Sequence, residues 1–139
     1  EMARVDLSGL LLETIEKIMI LYPGVEFALD VAPAIEMRGV SHMIEHAIIN
    51  LLDNAARYTT DGSVSVRLST GERYIVLEVT NRGRKVEIER PGMLSGSSGA
   101  TGNGIGLTIV QEVAKLHKAL LLYEHRDGIN CFTIRFPVR

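Results

Sequence analysis

Two short runs carry residues whose types and spacing could do chemistry. Asn50-Leu51-Leu52-Asp53-Asn54-Ala55-Ala56-Arg57-Tyr58-Thr59 sets two amides four residues apart in an apolar-periodic stretch. On a helix, Asn50 and Asn54 share one face, with Arg57 a turn further along. Downstream, Gly102-Asn103-Gly104-Ile105-Gly106-Leu107 is a glycine-rich run leading into a second apolar-periodic stretch. The first N–H groups of a helix have no intrahelical partner and are free to hold phosphate. Together the runs predict a nucleotide polyphosphate gripped between a polar helix face and a helix N-terminus.

The elements that must position these residues read as α/β. Residues 6 to 21 predict a helix, with Asp6 or Ser8 as its cap and apolar residues at 10, 11, 15, 18 and 19. Pro23-Gly24 ends it, and residues 25 to 31 alternate like a strand. A short extended piece follows over 35 to 37. Ser41 is the expected cap of the helix that carries the amides, which ends near Tyr58. Its apolar stripe is Ile44, Ala47, Ile48, Leu51, Leu52 and Ala55.

Asp61-Gly62 marks a turn, and residues 63 to 69 alternate strictly, as a strand with one wet face does. Residues 74 to 79 form a nearly continuous apolar run, the more buried neighbour. From 81 to 101 the pattern is lost, which predicts a long mobile loop of functional use. A helix resumes near Gly104 and ends near Lys118. Residues 120 to 123 and 131 to 136 predict strands joined through Asp127-Gly128. Helices on one side of a mostly antiparallel sheet are the economical packing.

Composition bounds the rest. With 139 residues, 46% of them apolar, the chain suits one core and no second full domain. Fifteen basic against 17 acidic residues give a net charge of −2 without like-charge blocks, so nucleic acid is not an implied partner, nor is a membrane surface. A single cysteine, Cys131, excludes an internal disulfide and reads as an ordinary strand residue in a reducing cytosol. No segment has the length of a membrane span, and none reads as a signal peptide. The opening Glu1-Met2-Ala3-Arg4 reads as the cut end of a longer protein or an expression scar.

The two runs, their order and the loop between them resemble the ATP-binding catalytic domain of bacterial sensor histidine kinases. That is a Bergerat-fold branch of the superfamily that includes DNA gyrase and the mismatch-repair ATPases. The resemblance spans residues 1–139, from Val5-Asp6-Leu7 to the last hairpin. The asparagine run is similar to the family's N box, and residues 102 to 107 are similar to its second glycine box. The fold this implies is an α+β two-layer sandwich. It has a mixed, mostly antiparallel sheet, about three helices on one face, and an ATP lid over residues 84 to 101.

The resemblance also implies roles. Asn54 would be the magnesium ligand, through its amide oxygen, a hard donor for a hard ion. Asn50 would contact phosphate or a metal-bound water, Arg57 the phosphates, and Tyr58 the base or ribose. Gly102, Gly104 and Gly106, with Ile105 and Leu107 in the same box, would bring backbone N–H groups to the phosphates. In hydrolysing relatives a glutamate matches Asn50 and activates water, which an amide cannot do at neutral pH. ATP and Mg2+ would thus be held for a nucleophile from elsewhere.

The implied nucleophile is a histidine on a separate dimerisation domain, followed in that domain by acidic and proline-containing sequence. His42, His46, His117 and His125 lack that context and read as surface or edge histidines. A response regulator would be the next partner. The isolated domain would be a monomer, the full-length protein a homodimer. The resemblance implies a cytoplasmic domain of a membrane-anchored sensor.

One box departs from the family. Its first glycine box usually offers an aspartate to the adenine amino group, and here the matching run is Asn81-Arg82-Gly83-Arg84-Lys85. Asn81 replaces the acid and Lys85 the second glycine. The amide oxygen still accepts, but the lost charge assistance costs about 1 kcal/mol. An amide also has donors, so a flip would let it face guanine O6. Arg82, Arg84, Lys85 and Arg90 read as a solvated loop face. Two other functions stay open: a degenerate pseudokinase that signals by docking, and an anti-sigma-factor serine kinase. The second commonly carries a glutamate at the Asn50 position.

Overall fold

The elements follow the hydrophobic periods of the chain. The computed structural model describes residues 1–86 and 103–138. In order these form β1 (Ala3–Asp6), α1 (Leu7–Leu21), β2 (Glu26–Val31), β3 (Glu36–Gly39), α2 (Ser41–Tyr58), β4 (Ser63–Thr70), β5 (Tyr74–Arg82), α3 (Asn103–Leu116), β6 (Leu120–Arg126) and β7 (Ile129–Pro137).

The main sheet has the order β2-β4-β5-β7-β6. Only β2 and β4 run parallel; the other pairs are antiparallel. Burial alternates along β4, β5 and β7, and the buried apolar side chains share one cluster with Leu11 and Ile15 of α1, Ile48 and Leu52 of α2, and Val110 and Val113 of α3. All three helices therefore cover one sheet face, and the fold is the expected α+β arrangement. The whole apolar stripe expected on α2 is buried. Helix α2 packs against both α1 and α3.

Local chemistry explains most boundaries. Asp6 caps α1, accepting from Gly9 N at 3.0 Å. Asp127 and Gly128 take φ of 54° and 78°, which lets the β6–β7 hairpin turn in two residues. Gly62, at φ 78°, does the same job ahead of β4.

Five expectations need correction. Ser8 does not cap; its hydroxyl is buried, donating to Ala32 O at 2.8 Å and accepting from Ile35 N at 2.9 Å. Ser41 does not cap α2 either. Val40 is the cap residue, and its carbonyl takes the N–H groups of Met43 and Ile44, both at 3.0 Å. Residues 3 to 6 form a strand, because β3 supplies an antiparallel partner that no local pattern reveals. Strand β5 runs on through Asn81 and Arg82, since Asn130 and Ile129 pair with them. His117 is buried rather than at the surface. Its Nδ1 lies 2.8 Å from Val113 O and its Nε2 accepts from Val40 N at 3.1 Å, so one ring satisfies two backbone groups. The lid expectation, beyond residue 86, lies outside the described residues, as do Arg90 and Gly102.

Candidate functional site

Helix α2 turns its apolar stripe to the core, and Asn50, Asn54 and Arg57 lie along one side of the helix, the two amides bordering that stripe, as the 3.6-residue period requires. Asn50 is half-buried, and its amide donates to His46 O at 2.9 Å, one turn back. Asn54 is also half-buried but makes no side-chain hydrogen bond among the described residues. Among the described residues its amide oxygen is therefore uncommitted. Arg57 is exposed and donates from Nη2 to Asp53 Oδ2 at 2.8 Å. Its guanidinium carbon stands 6.0 Å from the ring centre of Tyr58, which is itself exposed. The Tyr22 hydroxyl raises the Arg57 pKa most, burial opposes it, and the Asp53 carboxylate adds to the rise.

The C-terminal end of α2 meets the end of β5. Thr60 N donates to Arg82 O at 2.9 Å, and the Thr60 hydroxyl reaches the same carbonyl at 3.2 Å. Gly83 lies between the two elements: a Cβ there would come within 2.9 Å of Tyr58 O and 3.0 Å of Asn81 Nδ2. The structure thus brings Tyr58, Asn81 and Gly83 together. Asn81 is buried, and its Nδ2 donates to Arg82 O at 3.2 Å, leaving Oδ1 as the acceptor without a hydrogen bond among the described residues. Flipping the amide would forfeit that bond.

Lys85 is exposed and forms no ion pair among the described residues. Gly104, Ile105 and Gly106 lie in the first turn of α3, where backbone N–H groups lack intrahelical partners. Leu107, one turn in, is buried in the core and anchors that turn. Arg82 belongs to a strand rather than a loop and lies 3.8 Å from Asp61.

Sequence reasoning missed a set of residues from the β6–β7 hairpin. Buried Asn130 donates to Arg84 O at 2.8 Å and accepts from the Tyr123 hydroxyl. That hydroxyl in turn accepts from Val86 N at 2.8 Å. His125 Nε2 lies 3.0 Å from Gly83 O. These contacts fix residues 83 to 86 as the chain leaves β5. A polar residue amid the apolar alternation of β7 was the one signal available for Asn130. A separate cavity of about 690 Å3, lined by Met2, Arg38, His117 and Lys118 among others, includes none of the motif residues.

An ATP-type site needs a half-buried hard oxygen for a metal, a cation for phosphate and a buried acceptor for the base. Asn54, Arg57 and Asn81 match those needs. No group of three or more histidine, cysteine or acidic side chains capable of holding a metal occurs among the described residues. A metal here would depend on the Asn54 amide and on oxygens of its ligand.

Comparison with known proteins agrees with this class of fold. Residues 39–139 match the model of the histidine kinase-, DNA gyrase B- and HSP90-like ATPase family. The chain belongs to that family, in its sensor histidine kinase branch. The phosphate regulon sensor protein PhoR of Pseudomonas aeruginosa is 33% identical over 104 residues, covering 68% of this chain and 24% of that protein. The histidine-protein kinase/phosphatase MprB of Mycolicibacterium paratuberculosis is 28% identical over 130 residues, covering 86% of this chain and 24% of that protein. The chain thus spans about a quarter of the length of these relatives.

Among solved structures, the mycobacterial sensor histidine kinase MprB superposes with a TM-score of 0.84 at 25% identity, covering 100% of this chain and 99% of that one. The catalytic domain of histidine kinase ThkA gives 0.81 at 20% identity, covering 99% and 95%, which speaks for the fold alone. No helix among the described residues is long and apolar enough to cross a membrane.

Proposed function

We propose that residues 1–139 act as one catalytic unit that binds ATP with magnesium and presents the γ-phosphate to a histidine on a separate dimerisation domain. The observation that carries this reading is Asn54, a half-buried amide without a side-chain partner among the described residues, one turn from Arg57. Asn54 offers its oxygen to magnesium, and Asn50 its amide to phosphate or metal-bound water. Arg57 and the backbone at Gly102, Gly104 and Gly106 hold the phosphates. Tyr58, Asn81 and Gly83 bound the base, and Lys85 extends the cationic side. Asn54 and the phosphate oxygens would hold the magnesium, which would supply neutralisation of phosphate charge when bound.

Catalysis in such a site is positioning and charge neutralisation. An amide at Asn50 takes no proton from water at neutral pH, which favours transfer over hydrolysis. None of the chain's own histidines suits the acceptor role. His117 and His125 have their rings engaged, and exposed His42 and His46 lie in the first half of α2. A response-regulator aspartate would be the next acceptor. The full-length protein would be a homodimeric, membrane-anchored sensor with this domain in the cytoplasm.

The test is in two stages. Mg–ATP is titrated calorimetrically into the chain, which is then mixed with a histidine-containing dimerisation domain. Binding followed by acid-labile phosphate on that domain is expected. Asn81 and Lys85 favour a second reading, a pseudokinase that docks without nucleotide. Absence of any nucleotide binding would select it.

A further inference from the structure

We infer that Tyr22 is a positioning residue for phosphate binding, acting through Asp53 on Arg57; this rests on the ATP reading above. Tyr22 belongs to neither motif run. It is the residue that closes α1, where its N–H donates to Ile18 O and its carbonyl accepts from Val25 N, both at 3.0 Å. Its backbone is thus fixed at both sides of the turn, and its half-buried ring packs against the core. From there the phenol crosses to α2 and donates to Asp53 Oδ1 at 2.5 Å. The other carboxylate oxygen, Oδ2, accepts from Arg57 Nη2 at 2.8 Å. One carboxylate therefore ties the arginine to a fixed phenol 31 residues away from Asp53.

An exposed pair spaced four apart on a helix is by itself a weak restraint. Such pairs contribute little, since two long side chains must give up rotamer freedom to meet. The side chains of Arg57 and Asp53 are 47% and 29% exposed, so water competes for both. The phenol changes this balance. It holds Asp53 in one rotamer, and a fixed carboxylate holds the planar guanidinium in one orientation. A guanidinium carries five donors in a rigid fork, so a single bond to Asp53 leaves the others for phosphate oxygens. Asn54 lies along the same side of α2. Burial, and then the bond to Asp53, push the Tyr22 phenol above its ordinary range, so it remains a donor throughout the neutral range.

The experiment measures Mg–ATP and adenosine binding to the chain and to Tyr22→Phe, Arg57→Ala and the double variant, with thermal unfolding alongside. Tyr22→Phe removes one hydroxyl and keeps the ring. It is expected to weaken ATP binding by about three- to tenfold and leave adenosine unchanged, the size set by losing one charge-directed hydrogen bond. In the Arg57→Ala background Tyr22→Phe should cause no further loss, because its action passes through that arginine. Asp53→Asn, which keeps the shape and drops the charge, should show the same selective loss.

Equal losses for ATP and adenosine would reduce Tyr22 to helix packing and overturn the inference. Unchanged ATP affinity in Tyr22→Phe, or the same loss with and without Arg57, would also overturn it. A parent chain that binds neither ligand would fell the ATP reading and this inference with it. A parent that binds ATP beside an unaffected Tyr22→Phe would fell the inference alone.

Discussion

Asn130 Nδ2 donates to the carbonyl of Arg84 at 2.8 Å, joining the last strand of the sheet to a segment 46 residues earlier. The same side chain accepts from Tyr123, whose oxygen accepts from Val86 N. The exit from β5 is therefore held by a part-buried polar network centred on buried Asn130. Asn130→Ala strands the Arg84 carbonyl and the Tyr123 hydroxyl and should destabilise the chain by about 1–3 kcal/mol, read from urea unfolding.

Tyr123→Phe gives a pH signature for the same network. Burial pushes the Tyr123 phenol above its ordinary value of 10.0, with the bond from Val86 N opposing. The folded state thus keeps this proton longer than the unfolded state. That stability is complete below the unfolded value and is lost as pH rises through the folded one. Tyr22 shifts the same way, so the alkaline fall should become shallower in Tyr123→Phe without vanishing. Stability measured from pH 8 to about 11.5 checks this; an unchanged slope would contradict it.

Asn54→Ala is expected to remove Mg-dependent ATP binding and phosphotransfer while changing stability by less than about 0.5 kcal/mol, as for a half-buried helix residue without side-chain partners among the described residues. Near-normal phosphorylation of an added dimerisation domain by this variant would exclude the ligand role.

Gly83→Ala places a methyl 2.9 Å from the Tyr58 carbonyl, a backbone atom that cannot step aside cheaply. A loss of about 1–3 kcal/mol is expected, as for overpacking in a tight site. Adenosine affinity should drop with it, since Asn81 shares the contact. Unfolding midpoints and adenosine titration would show both.

Asn81 should favour adenine over guanine. Its Nδ2 is committed to Arg82 O, so facing guanine O6 would cost that bond. Asn81→Asp adds charge toward the adenine amino group, a gain of up to about tenfold for 1.4 kcal/mol. It also sets a carboxylate oxygen against the Arg82 carbonyl, so the net gain should fall short of that. Calorimetry with ATP and GTP on both proteins decides; equal affinities for the two nucleotides would contradict the orientation.

What the sequence determined by itself is local. The burial period of α2, the alternation of β4, the Asp6 cap and the Asp127-Gly128 turn all depend on residues a few positions apart, and all are present in the structure. The family was legible too, because each of its two motif runs is contiguous in the sequence. Tertiary structure alone decided the rest. Parallel pairing of β2 with β4, the strand at residues 3 to 6, and His117 closing onto Val40 leave no periodic trace, since each partner is distant in the chain. Tyr22 meeting Asp53, and Asn81 facing Asn130, are likewise products of packing. A side chain's period tells which face it occupies. Which distant group it meets there is fixed only when the helices and the sheet close over one core.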